Sequence, residues 1–332
     1  VEVIRPDIAG MMGAYGAALY AKQMKKHTGT SGVASYEELQ NFQYTIKSVT
    51  CGGCNNRCQL TVNDFGGGRK FIGGNRCERP VTNKAQDDSL NLYEYKRKLI
   101  LSYKPGSNKR GKIGLPLCLN FWELLPFWHT FFTQLGFAVY HSPLSSRELY
   151  LKGQGTIPSD TACFPAKLAH GHMEFLSRLG LDAIFYPCMT YNVDEGLGDN
   201  HYNCPVVAYY PELLQANVPN LSKVRYLNPY VGLHRPKDYE KKAADWFKKE
   251  FNIPKKETVE AVRAAYAAYE AYKDDLRDQA AHYIAEAREK GYPILVVAGR
   301  PYHMDPEINH GINDLITSYG FYLLTEDSVA YL

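Results

Sequence analysis

From Lys112 onward, short apolar blocks alternate with longer stretches of helical period. Apolar runs at 112–117, 137–141, 182–186, 206–209 and 224–227 predict strands. Residues 121–135, a start near Ser145, 165–179 and 237–250 predict helices. That alternation is the signature of a parallel sheet in an α/β fold of Rossmann-like type. Ala, Glu, Lys and Arg at amphipathic spacing over 257–290 predict one long helix. The uninterrupted apolar run 293–299 predicts a fully buried strand that opens a second α/β unit. Upstream the pattern changes: a small-residue helix over 10–22, a short helix over 34–42 and a strand over 44–49. Two alternating runs, 59–62 and 69–72, flank Asn63-Asp64-Phe65-Gly66-Gly67-Gly68, a hairpin signal.

These blocks divide the chain into a small-residue helical segment (1–42), a cysteine-rich β module (43–86), a charged linker (87–111), an α/β domain (112–255) and a long helix with the start of a second α/β unit (256–332). Neither end reads as a natural terminus. Lysine and arginine number 38 against 35 acidic residues, interleaved for a net charge of +3. Such a balance leaves no footprint for nucleic acid or a membrane surface. No apolar run approaches the ~18–20 residues of a membrane span and no signal peptide opens the chain, so a cytoplasmic location is expected. The 26 tyrosines are expected to line cores and interfaces with their hydroxyls on polar partners.

Seven of the eight cysteines fall into two sets. Cys51, Cys54, Cys58 and Cys77 are compact: Cys-x2-Cys-x3-Cys places three sulfurs on one tight loop, and the fourth follows the hairpin. Four thiolates close the shell of a zinc ion or an iron–sulfur cluster, and the spacing favours neither. Cysteines in a reducing compartment more often bind metal or do redox chemistry than cross-link, so these four are expected to converge.

Cys163, Cys188 and Cys204 are dispersed, each where an apolar run meets a loop or helix start. Three thiolates from separate elements would leave one cluster position open to a substrate; buried structural cysteines are the alternative. Cys188 follows a strand directly, at the carboxyl edge where α/β sheets bind ligands. Cys163 opens a helix, whose dipole favours thiolate. Cys204 heads the predicted strand at 206–209, which places it at the opposite edge. Cys118 reads as a packing residue and a reserve fourth ligand. His172 and Lys167, with His170, sit on the helix after Cys163 and are catalytic candidates, as is His303 in the polar loop His303, Asp305, Glu307 and His310. The alternative for each is a structural residue satisfied by backbone or water.

Long motifs resemble the uncharacterised domain of large CoA-enzyme activase-related proteins. They include Phe127-Trp-His-Thr-Phe-Phe132, Ser145-Ser-Arg-Glu-Leu-Tyr150, Cys163-Phe-Pro-Ala-Lys167 with His170-Gly-His172, Tyr186-Pro-Cys188, Asn203-Cys-Pro-Val206 and Gly299-Arg-Pro-Tyr-His303. The 10–22 segment looks like the closing helix of an actin/sugar-kinase-type ATPase domain. The resemblance implies a parent protein joining activator-type ATPase domains to a part similar to the subunits of 2-hydroxyacyl-CoA dehydratases that bind a three-cysteine [4Fe–4S] cluster. Implied partners are the ATPase and dehydratase-like domains of that parent and an acyl-CoA or small-molecule substrate. The expected role is iron–sulfur-dependent electron transfer in an ATP-driven dehydratase- or reductase-like protein. The alternatives are a structural zinc scaffold and a CoA-thioester module, for which no basic, Gly-rich cradle is visible.

Overall fold

The computed structural model describes residues 7, 9–24, 34–53, 57–75, 79–82, 88–196 and 198–332. They divide into two compact units, Val1–Lys47 with Asn63–Phe71, and Ser48–Val62 with Ile72–Leu332. The elements in chain order are α1 (Met12–Met24), α2 (Tyr36–Gln40), β1 (Thr45–Thr50), β2 (Gln59–Asp64), β3 (Lys70–Gly73), α3 (Arg79–Thr82), α4 (Leu92–Leu101), β4 (Lys112–Leu115), α5 (Phe121–Gln134), β5 (Ala138–His141), α6 (Arg147–Gly153), α7 (Phe164–Leu176), β6 (Ala183–Phe185), α8 (Pro205–Asn217), β7 (Arg225–Leu227), α9 (Pro236–Phe251), α10 (Lys255–Lys290), β8 (Ile294–Val297), α11 (Pro306–Asn309), α12 (Ile312–Ser318) and β9 (Tyr322–Thr325). None of the described helices is long and apolar enough to cross a membrane.

In the first unit, α2 starts on a capping box: Glu38 N–H donates to Ser35 Oγ, and Ser35 N–H donates to the Glu38 carboxylate. The rings of Phe42, Tyr44 and Phe65 gather with centroids 5.7–6.1 Å apart. Gly66, Gly67 and Gly68 all hold positive φ, the left-handed conformation that the expected turn requires. Strands β1, β2 and β3 form a sheet in that order.

The second unit holds the parallel sheet that the alternating pattern predicts, in the order β5-β4-β6-β7. Gly114 of β4 pairs with Ile184 of β6, and Leu176 of α7 packs over them. Phe185, one residue on, points to the opposite face, where Trp128 and Phe132 of α5 meet it at 4.7 and 4.9 Å. Helices therefore cover both faces of the sheet. On the α5 side the core is aromatic: Phe131 meets Phe247 of α9 edge-on at 4.9 Å, and Phe127 meets Tyr266 of α10 likewise.

Helix α10 is 36 residues long, about 54 Å at the α-helical rise. Its buried positions recur every three or four residues from Thr258 to Ala287. The first part packs in the main core, while Ala280, Tyr283 and Ala287 join Leu92, Tyr322 and Leu324 in a second cluster.

Three local readings are corrected by these contacts. Residues 206–209 are helical, within α8, because Pro205 at its first turn pre-sets φ and the apolar set Val207, Ala208, Tyr210 and Leu214 is buried on one helical face. The 293–299 strand is only partly buried: β8 pairs with β9 on one edge, and Ile294 and Val296 are exposed. The expected linker contains α4, which is docked on the β8–β9 pair. Asn91 bridges Leu323, Tyr93 donates its hydroxyl to Val297 O at 3.0 Å, and buried Lys96 is ion-paired with Asp327. Burial pushes Asp327 up, but the Lys96 charge and hydrogen bond outweigh it and hold the carboxyl below its ordinary value.

Helices α6 and α7 cross at two glycines. A Cβ on Gly171 would lie 2.2 Å from Leu149 O, and one on Gly153 would lie 2.2 Å from Gly171 N. Gly171→Ala is therefore expected to lower stability by about 3 kcal/mol, the upper range for overpacking against backbone, measured by urea unfolding. Lys96→Ala is expected to cost about 2 kcal/mol by leaving Asp327 unpaired, a reduced figure because the carboxylate is partly solvated. An unchanged midpoint for Lys96→Ala would show that α4 is not anchored through this pair.

Candidate functional site

The strand order reverses direction between β4 and β6, so the topological switch point lies beyond their carboxyl ends. The loops there are Leu117 to Asn120 and Tyr186 to Thr190. Leu119 holds φ of 47°, a left-handed conformation that costs a branched residue of order 1 kcal/mol or more. Cys118, Tyr186, Cys188 and Met189 fill the crevice and are buried. The Cys118 sulfur lies 3.9 Å from the Tyr186 hydroxyl, and burial pushes its thiol far up. Cys118 is thus a packing residue.

Cys163 and Cys204 turn out to be equivalent in design. Each is the residue before a helix, with φ/ψ of −63°/152° and −62°/152°, and each helix carries proline in its first turn. Both cysteines are exposed and free. Since α8 is a helix, Cys204 sits at a helix start and not ahead of a strand, contrary to the expectation above. Both thiols bear electrostatically on Tyr302. Burial raises that phenol, and charge at Cys204 and Cys163 raises it further against the opposing Arg300.

Cys188 differs. It is held by backbone bonds from its own N–H to Pro229 O (2.9 Å) and from Val231 N–H to its carbonyl (3.0 Å). Burial first, then the Glu212 charge, pushes its thiol up to about 11. Among the described residues no three His, Cys, Asp or Glu side chains come together as a metal-holding group.

Behind the helix starts runs a buried chain of hydrogen bonds. Leu117 N–H donates to Ser142 Oγ (2.7 Å); Ser142 Oγ lies 2.6 Å from His172 Nδ1; His172 Nε2 lies 2.9 Å from Ser145 Oγ; and Ser145 donates to Asp305 Oδ2. The single Ser145 proton is committed to the carboxylate, so Ser145 must accept from Nε2–H, and Nδ1 must accept from the Ser142 hydroxyl. Every group in the chain is satisfied in one direction with His172 neutral. Burial depresses its pKa to about 3, and burial lifts Asp305 to about 6. The chain joins the ends of β4 and β5, the start of α6, the middle of α7 and the loop after β8.

The other sequence candidates have local hydrogen-bond partners. His170 lies between Thr156 Oγ1 (2.7 Å) and the Tyr210 hydroxyl (3.1 Å). Lys167 donates to Asp160 O at 2.8 Å, and His303 Nδ1 accepts from Arg300 N–H at 2.9 Å, fixing the turn after β8. His310 stacks on the Phe164 ring, and Glu307 gives its backbone N–H to Asp305. No sequence motif announced Ser142, Ser145 or Asp305 as one network, because Asp305 lies 160 residues beyond Ser145.

Of the compact set, Cys51 and Cys58 are described, while Cys54 and Cys77 lie outside the described residues. Cys51 N–H donates to Cys58 O at 2.8 Å, closing the loop, and Gly53 N–H is directed at the Cys51 sulfur at 3.4 Å. Arg79 donates to Gly53 O from beside that sulfur.

The family model of the CoA enzyme activase uncharacterised domain matches residues 112–329. The chain belongs to this family. Comparison with curated proteins and with solved structures gives no match. The activase-domain match takes in the parallel sheet, α10, the three dispersed cysteines and the whole Ser142–His172–Ser145–Asp305 chain, whereas the loop of Cys51 to Cys58 lies outside it.

The chain in this activase domain makes a pH prediction. His172 is neutral when folded down to about pH 3 but protonates near 6.5 when unfolded, so its contribution is present above pH 6.5 and lost as pH falls. His172→Gln is expected to cost about 2 kcal/mol at pH 7.5. Wild type should lose about 1.4 kcal/mol per unit as pH falls below 6.5 while the variant does not, so the gap should close at about pH 5. Urea titrations at pH 7.5 and 5 test this; a gap independent of pH would mean that His172 is accessible and titrates normally.

Proposed function

We propose that this domain is the cluster-binding, electron-transfer part of an ATP-driven protein similar to the 2-hydroxyacyl-CoA dehydratases and their activators. Membership of the CoA enzyme activase family gives the setting. The observation that carries the reading is the pair Cys163 and Cys204, two exposed, unpaired thiols at matched helix starts, both close enough to influence Tyr302. A helix start stabilises thiolate, the form that ligates iron or zinc.

Thiol donors suit a soft metal or an iron–sulfur cluster, with Cys163 and Cys204 as proposed ligands and Cys188 as the third candidate, although the described residues do not gather the three into one metal-holding group. Cys188 ligation requires its proton to leave a buried site, which the neighbouring Glu212 charge opposes. A bound cluster supplies one-electron transfer and, with three protein thiolates, one iron open to substrate. The chain's own part is to hold the thiolates, position Tyr302 beside them and keep the ground beneath them rigid through His172. The ATPase and dehydratase-like domains of the same parent protein are the proposed electron donor and acceptor, and an acyl-CoA the proposed substrate class.

A second reading, a structural zinc scaffold, is favoured by the Cys51–Cys58 loop alone. Its closing backbone bond and buried Cys58 suit a closed four-thiolate site.

Anaerobic reconstitution with iron and sulfide separates the two. The Cys163→Ser/Cys204→Ser double variant is expected to bind about four fewer iron atoms per chain than wild type, one cubane, and Cys51→Ser to lose a different, additive share. Equal iron in wild type and the double variant would remove these thiols as ligands, and colourless protein holding one zinc would leave the scaffold reading.

A further inference from the structure

A cavity of about 360 Å³ opens beyond the carboxyl ends of β6 and β7, away from Cys163 and Cys204. It lies in the size range of small-molecule sites and at the sheet edge where such sites collect. Its floor is apolar: Phe185, Tyr239 and Phe247 are buried in the main core. Tyr230, largely exposed, and Trp246, half-buried, add aromatic surface to the walls.

The polar lining is cationic. Arg235 and Lys242 both line the cavity, both are exposed, and neither is ion-paired with a described residue; Asp238 is the one carboxylate among the lining residues. Arg235 is also the residue before α9; no side chain caps that helix, and with Pro236 lacking an N–H the Lys237 and Asp238 N–H groups stay open. Among the lining residues one buried polar atom has no partner: His234 Nδ1. Its ring meets Tyr191 in a tilted contact at 4.5 Å, and burial, with the Arg235 charge, shifts its pKa down. A group so placed is costly unless something completes it.

We propose that this cavity is a binding site for a nucleoside phosphate. The base lies against Tyr230 and Trp246, and the phosphate is held by Arg235, Lys242 and the open start of α9. Aromatic walls with unpaired cations at the rim recognise a planar ring and an anion together, and a wholly apolar or wholly ionic ligand would satisfy only half of the lining. Tyr230 bridges Cys188 through the backbone, so an occupant would border the carboxyl edge of β6.

The test is calorimetric titration of the full chain with ADP, adenosine and inorganic phosphate, supported by the fluorescence of Trp246. ADP is expected to bind saturably, with adenosine and phosphate each at least about tenfold weaker, since each loses one half of the contacts. Lys242→Glu and, separately, Arg235→Gln are expected to weaken ADP by about tenfold while melting as wild type does, because both side chains are exposed. Absence of saturable ADP binding up to millimolar concentration overturns the proposal. So does an affinity unchanged in both variants, and so does phosphate binding as tightly as ADP, which would reduce the cavity to a simple anion site. Iron content is not involved in any of these readings, so they stand or fall apart from the cluster assignment.

Discussion

The hydrogen-bonded chain from Leu117 N–H through Ser142, His172 and Ser145 to Asp305 is the constraint on which the functional end of this domain depends. Burying five polar groups without water is costly unless each finds a partner, and here each finds one in a single consistent direction. The chain can form only if the strand ends, the α6–α7 pair and the segment after β8 are all in place. Its cost when incomplete makes it a device for specifying one arrangement. The glycine crossing of α6 on α7 contributes directly: Gly171 lets α6 approach to contact, and His172, the next residue, is thereby carried to the serines.

That arrangement sets where reactive groups emerge. Helix α7 is pinned in its middle by His172 and, two residues earlier, by His170 between Thr156 and Tyr210. Its start, and with it Cys163, is consequently fixed. Tyr210 lies on α8, so the same contact ties the helix that Cys204 opens. The histidines here act as positioning residues beneath a thiol-bearing rim. Burial explains why: a His172 proton would be stranded in an apolar interior, so the ring works as a neutral relay of hydrogen bonds.

Helix α10 extends this rigidity to the rest of the second unit. Its tyrosines and alanines alternate between filling space in the aromatic core and admitting neighbours, and its last turns seat α4 and the β8–β9 pair. Asp305 reaches the α/β sheet from beyond β8, so the seating of this segment and the completion of the polar chain are one event.

The amino-acid pattern alone determined the alternating α/β architecture, the parallel sheet, the long helix and the hairpin turn, because these follow from local periodicity and turn chemistry. Its failures have a common cause. Val206 to Tyr209 has strand propensity, yet Pro205 and a one-sided burial make it helical; α4 looks like a charged linker, yet Lys96 finds Asp327 and Tyr93 finds Val297 across two hundred residues. The same holds for the site. Cys163 was legible as a helix start, but the equivalence of Cys204 with it, the service of His172 to Ser142 and Ser145, and the cavity rimmed by Arg235 and Lys242 are decided by which distant segments meet. Propensity and spacing act over a few residues, whereas burial and hydrogen-bond satisfaction are properties of the assembled core, and those assigned each side chain its work.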